Sequence, residues 1–105
     1  MKRIKIFISS VQSEFAQERE MLCQYIRTDA LLGKFFEPFI FEDVPANEYP
    51  ANHVYLREVE LCDIYLGLFG NLYGYEDIEG VSPTEREYDL AATLHKSRLI
   101  YIKAI

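Results

Sequence analysis

The chain has no tryptophan and only two cysteines, two histidines and five glycines among its 105 residues. Positive charge is also scarce: 11 basic residues stand against 17 acidic ones, a formal net charge of -6. Each scarcity excludes something. Cys23 and Cys62 lie far apart, form no CxxC pair and have no His at ligand spacing, which argues against a metal site and for two reduced, buried thiols. A chain of this sign is repelled by phosphate backbones and lacks the footprint of a direct nucleic-acid binder. It also lacks the polybasic stretch that holds a protein on an anionic membrane. No apolar run approaches the roughly 20 residues that span a bilayer. Met1-Lys2-Arg3 enters directly into Ile4, Ile6 and Ile8, too short and broken a run for a signal peptide, so the cytoplasm is the expected compartment. Neither GxxxxGK[ST] nor GxGxxG occurs, so neither ATP binding nor any other cofactor is expected. His53 and His95 are isolated, and no Ser/His/Asp or Cys/His constellation is visible. His95 falls near a helix end, where an imidazole suits the dipole better than it suits catalysis.

What is present is ample core material: half of the residues are hydrophobic and 14% aromatic. The length allows one domain, residues 1–105. Residues 3–8 alternate and then turn apolar, which predicts a strand that Ser9 and Ser10 stop. A helix follows from Gln12 to Thr28, with Phe15, Arg19, Leu22 and Ile26 on one stripe and Glu14, Gln17, Glu18 and Glu20 opposite. Ser9 or Ser10 is the expected N-cap, and Ser9 with Gln12 has capping-box spacing. Gly33 falls in the connection. Phe35–Phe41 reads as a second strand, and Pro38, with no N–H for a ladder, places it at an edge. Residues 42–50 read as a loop and 51–61 as a short helix. The continuous apolar run of 62–69 predicts a central strand buried on both faces. Ser82-Pro83-Thr84-Glu85 is the clearest helix start in the chain. That helix is expected to reach about His95 and to bury Tyr88, Ala91, Ala92 and His95, before a fourth strand over 98–103.

The order βαβαβαβ predicts an α/β fold, a flavodoxin-like three-layer sandwich. Its parallel sheet should hold four or more strands in the order 2-1-3-4, with right-handed crossovers. Such domains usually continue with another helix and strand, so the chain is expected to be the N-terminal part of a longer protein, with the fourth strand as a pairing edge.

Open parallel sheets bind ligands outside the carboxyl ends of their strands. Those ends carry Ser9 and Ser10, then Glu42 and Asp43, then Gly70, Asn71, Tyr73 and Gly74, joined by Ser82, Thr84, Glu85 and Glu87. Ser9 and Ser10 either serve only as caps or hold a phosphate or ribose. Gly70 and Gly74 either permit tight turning or admit a ligand. Glu85 is explained by the capping box. Glu87 lies one turn further on, with Ala91 four residues away and no basic partner there. It is either a solvated helix residue or a carboxylate in the crevice beside Tyr73, Tyr75 and Tyr88. Burial would raise its pKa and the helix dipole would lower it.

The string Ile8-Ser9-Ser10, Glu18-Arg19, Cys62 through Gly70, Tyr73-Gly74 and Ser82-Pro83-Thr84-Glu85-Arg86-Glu87-Tyr88 resembles the domain of unknown function 4062 family over almost the whole chain. The resemblance implies an N-terminal position beside another module of the same chain. Such modules include NTPases of the STAND class and AlbA-like DNA-binding modules of bacterial transcriptional regulators. It also implies a fold similar to TIR domains and nucleoside 2-deoxyribosyltransferases, groups in which a Glu cleaves N-glycosidic bonds. The Thr84–Glu87 spacing matches the transferase pattern, while Pro83 stands where the transferases carry Gly. Two functions are therefore expected. The first is a sensing or interaction module that binds a nucleotide-like ligand or a protein partner, with a homo-oligomer among the expected states. The alternative is an N-glycosidic-bond-cleaving enzyme acting on NAD or a nucleoside, with Glu87 catalytic and Ser9, Ser10 and Tyr73 lining the pocket. The ligand-binding residues expected at this edge are Ser9, Ser10, Gly70, Tyr73, Gly74, Ser82 and Thr84.

Overall fold

The alternating N-terminal run forms β1 (Ile4–Ser10), and the other strands are laid against it on both sides. The computed structural model describes residues 2–40, 51–74, 76 and 79–103, with 12 and 51–55 described in their backbone alone. After β1 come α1 (Gln12–Thr28), α2 (Leu32–Phe35), β2 (Phe36–Phe39), α3 (Ala51–Leu61), β3 (Ile64–Phe69), α4 (Pro83–Thr93) and β4 (Ser97–Ile102). The sheet order is β2-β1-β3-β4 and every pairing is parallel. Pro38 faces Ile6 on β2, and β2 pairs only with β1 among the described residues, the edge position that a residue without an N–H requires.

Period-two alternation divides the core between the two faces of the sheet. Phe7 and Tyr65 pack with Val59 and Cys62 of the α3 end and Ala91 of α4, with Phe39, Phe69, Tyr88 and Leu90 around them. Ile8 and Leu66 pack with Cys23 of α1 and Ile40 on the other side. Helices therefore cover both faces, and the three-layer α/β architecture follows. Both cysteines are buried and free. Burial pushes the Cys62 thiol up, as an unreactive core thiol requires. No helix among the described residues is long and apolar enough to cross a membrane.

Several local features differ from the sequence expectation. Ser9 and Ser10 neither end the strand nor cap α1. Ser9 pairs with Gly67 and Ser10 with Leu68, so the ladder to β3 draws both into β1. The cap position falls to Val11, which makes no side-chain cap bond. The helix is broken at Phe15 (φ -120°, ψ 21°), so its first turn is not in phase with the rest. Gly33 lies inside α2 rather than in a bare connection, because the Asp29 carboxylate accepts the N–H groups of Leu31 and Leu32 and starts a turn there. That turn takes Phe35 from the expected second strand. Helix α4 stops at Thr93, short of His95. His95 is exposed at φ 57°, while Lys96 N–H donates to the Ala91 carbonyl and His95 N–H to that of Ala92. This is a Schellman ending with His95 at the left-handed position. Lys96 then donates its ammonium to the carbonyls of Glu60 and Cys62, closing the end of α3. The predicted 42–50 loop, with Glu42 and Asp43, and also Tyr75 lie outside the described residues, as does the side chain of His53.

Candidate functional site

Alternation along β1 determines where its last two side chains go. Ser9 shares the face of Phe7 and points to α4, while Ser10 shares the face of Ile8 and points to α1. The Ser9 hydroxyl donates to the Glu87 carboxylate at 2.7 Å, both groups buried. Arg19 donates to the Ser10 carbonyl at 3.0 Å and to its hydroxyl at 3.1 Å, and is itself only 4% exposed. The structure thus places one buried carboxylate and one buried guanidinium at the carboxyl end of β1, each held by a serine.

Glu87 is not a solvated helix residue: it is 5% exposed. Burial raises its pKa to about 7, with the Ser9 hydrogen bond and the Arg19 charge offsetting only part of the desolvation. Below Ser9 lies Tyr65, fully buried, whose hydroxyl has no hydrogen bond of normal geometry. Burial pushes that phenol upward too, against a weaker pull from the nearby Ser9 hydroxyl.

Above this layer, at the carboxyl ends of β1 and β3, is a cavity of about 360 Å³. Its walls are Val11, the end of β3 with the loop Gly70–Tyr73, and Ser82, Thr84, Glu85 and Tyr88 of α4. It sits at the point where the strand order reverses, the crevice in which open α/β sheets take ligands. Of the expected site residues, Gly70, Tyr73, Ser82 and Thr84 line it. Ser9, Ser10, Gly74 and Glu87 do not; Ser9 and Glu87 belong to the buried layer behind it. Gly74 has φ 99°, and a Cβ there would press on Val11, so its glycine serves the turn. A smaller cavity of about 230 Å³, bordered by Lys5, Arg27, Glu37 and Glu58, lies away from this crevice.

The start of α4 is organised by Tyr73. Ser82 accepts the Glu85 N–H at 3.2 Å, as the capping box requires. The Glu85 carboxylate does not return to the Ser82 N–H. That N–H donates to the Tyr73 hydroxyl at 3.2 Å, and the hydroxyl donates to Glu85 at 2.7 Å. The phenol is inserted into the box and ties the loop after β3 to the helix.

Glu14 was not legible as a site residue. Its carboxylate accepts the N–H groups of Asn71 at 2.8 Å and Leu72 at 2.9 Å, and pairs with Lys103 at 3.7 Å. Those two amides, and then Lys103, hold its carboxyl below the usual range against a smaller opposing effect of burial. The break at Phe15 explains the miss, because the stripe counted from the helix body does not carry back to the first turn. Among the described residues, no group of three His, Cys, Asp or Glu is arranged to hold a metal ion.

A family profile, that of a domain of unknown function (DUF4062), matches residues 5–105. The chain belongs to the DUF4062 family. This DUF4062 domain is also similar to the solved structure of a 2-desoxiribosyltransferase from Leishmania mexicana, with a TM-score of 0.59 and 19% identity. The match covers 96% of this chain and 65% of that one, so the domain spans about two-thirds of its structural relative. At that identity the likeness is one of fold. No curated protein sequence matches the domain.

Proposed function

We propose that this domain is a binding module that takes a nucleoside-like ligand in the crevice between β3 and α4 and relays its occupancy to a C-terminal effector domain. The observation that carries the reading is the cavity itself. It stands at the strand-order reversal, has aromatic walls in Phe69, Tyr73 and Tyr88, and offers the polar groups of Asn71, Thr84 and Glu85. Flat aromatic surfaces suit a base, and the carboxylate and hydroxyl suit the alcohols of a sugar. In this reading Ser9 and Ser10 support the crevice from below, by holding Glu87 and Arg19, rather than touching the ligand. An AlbA-like module or a STAND NTPase is the kind of effector that the family resemblance implies, and a homo-oligomer is a further expected state.

The test is calorimetric titration with a nucleoside panel. We expect saturable binding by the wild type and loss of about tenfold or more in Asn71→Ala and Thr84→Val, which remove cavity groups not otherwise engaged in the core. Unchanged affinity in both variants would place the ligand elsewhere.

One observation favours a second reading, an N-glycosidic-bond-cleaving enzyme. A carboxyl with a pKa of about 7, held by a serine behind the crevice, is poised for nucleophilic or acid–base work. A nucleophile also needs an open path to the anomeric carbon, and Glu87 is 5% exposed. Free base released from NAD or a nucleoside by the wild type, and absent with Glu87→Gln, would establish this reading over the first.

A further inference from the structure

The crevice is bordered by the two structures that ordinarily receive a ligand's phosphate, a loop with successive N–H groups and a helix N-terminus. Here the loop is occupied from within the chain, and the helix N-terminus is occupied in part. The loop after β3 turns the N–H groups of Asn71 and Leu72 onto the Glu14 carboxylate, at 2.8 and 2.9 Å. The loop also closes tightly on that carboxylate: a Cβ added at Gly70 would collide with it. Glu14 is nearly buried and pairs with the half-exposed Lys103 at 3.7 Å. At the head of α4, Pro83 has no N–H, the Glu85 N–H is taken by Ser82, and the Ser82 N–H is taken by Tyr73. The acidic side chain of that first turn, Glu85, lines the cavity, and no Lys or Arg is among the described residues that do.

We infer that Glu14 is a built-in anion standing where a ligand phosphate would be received, so that the crevice turns away phosphorylated ligands and admits the unphosphorylated nucleoside. This deepens the binding reading above and rests on it for the identity of the ligand. The exclusion has two parts. The amides that would pay for desolvating a phosphate are directed away from the cavity, and the charge that holds them repels a second anion nearby.

The experiment has two arms on the same three proteins: wild type, Glu14→Ala and Glu14→Gln. In the first, inorganic phosphate is titrated while the backbone amide resonances of Asn71 and Leu72 are followed by NMR. We expect no saturable shift in the wild type and a saturable shift in Glu14→Ala, whose two donors are released. Glu14→Gln keeps the shape of the side chain, removes its charge and leaves one acceptor for the two N–H groups, so if the alanine variant loses its fold we expect a saturable shift at the released amide of the glutamine variant. A wild-type shift equal to that of the variants, or no shift in a folded variant, overturns the proposal. In the second arm, adenosine and adenosine 5′-monophosphate are titrated calorimetrically. We expect the monophosphate to bind the wild type about tenfold more weakly or worse, and the ratio to fall toward one in Glu14→Gln. Equal discrimination in wild type and variant overturns the proposal. If neither compound binds any of the proteins while the phosphate arm behaves as expected, the assignment of Glu14 stands and the nucleoside reading falls.

Discussion

Glu87 shows how one hydrogen bond and one layer of packing determine a charge state. The ordinary value of the carboxyl is 4.5, and in the folded protein it rises to about 7 because burial outweighs the Ser9 bond and the Arg19 charge. The folded state therefore holds the proton more tightly than the unfolded chain. Its contribution is full below pH 4.5 and is lost as pH rises from there to about 7. The interval corresponds to about 3 kcal/mol. Urea denaturation at pH 5 and pH 8 should show the wild type losing stability of that order relative to Glu87→Gln, which cannot titrate. A difference between the two proteins that is the same at both pH values would mean that Glu87 does not carry the shift. Glu14 acts in the opposite sense. Its carboxyl is lowered by the Asn71 and Leu72 amides, so its contribution is present above its ordinary value and fades as pH falls.

At the level of elements, helix α4 is held at both ends by residues whose roles depend on their backbone position. At its start the Tyr73 hydroxyl bridges the Ser82 N–H and the Glu85 carboxylate. Tyr73→Phe removes both bonds and leaves the ring, and we expect a loss of about 1 kcal/mol measured by the urea midpoint. At its end His95 occupies φ 57° in the Schellman turn. His95→Gly should raise stability by about 0.5–1 kcal/mol, because glycine accepts that conformation without strain. A thermal melt decides it; a fall in midpoint would show that the imidazole makes up for its strained backbone.

For the molecule as a whole, the sheet is asymmetric at its two edges. β2 is short and carries Pro38, which blunts it. β4 is six residues long, exposed throughout, and presents Leu99, Ile100, Tyr101 and Ile102 to solvent. A long apolar edge of this kind invites pairing with another strand. The isolated domain is therefore expected to self-associate as concentration rises, which light scattering after size exclusion would show. Ile102→Lys, at the most exposed of these positions (78%), should shift it toward the monomer. A monomer at all concentrations would count against β4 as a pairing edge.

The order of elements, the parallel sheet, the edge position of the strand holding Pro38 and the Ser82 cap all follow from signals within a few residues of one another: alternation, 3.6-residue stripes, a missing N–H, a short hydroxyl before Pro. The sequence by itself determined these, because the forces involved act between near neighbours in the chain. The destinations of polar side chains at the crevice were decided by the tertiary structure. Ser9 and Glu87 are 78 positions apart and meet only because the pairing of β1 with β3 carries the strand past its apolar run. Glu14 and Asn71 are 57 apart and meet only because α1 breaks at Phe15 beneath the loop after β3. A hydroxyl or a carboxylate has several local uses of similar energy, and the choice among them is made by whichever partner the register and packing of distant elements bring within 3 Å.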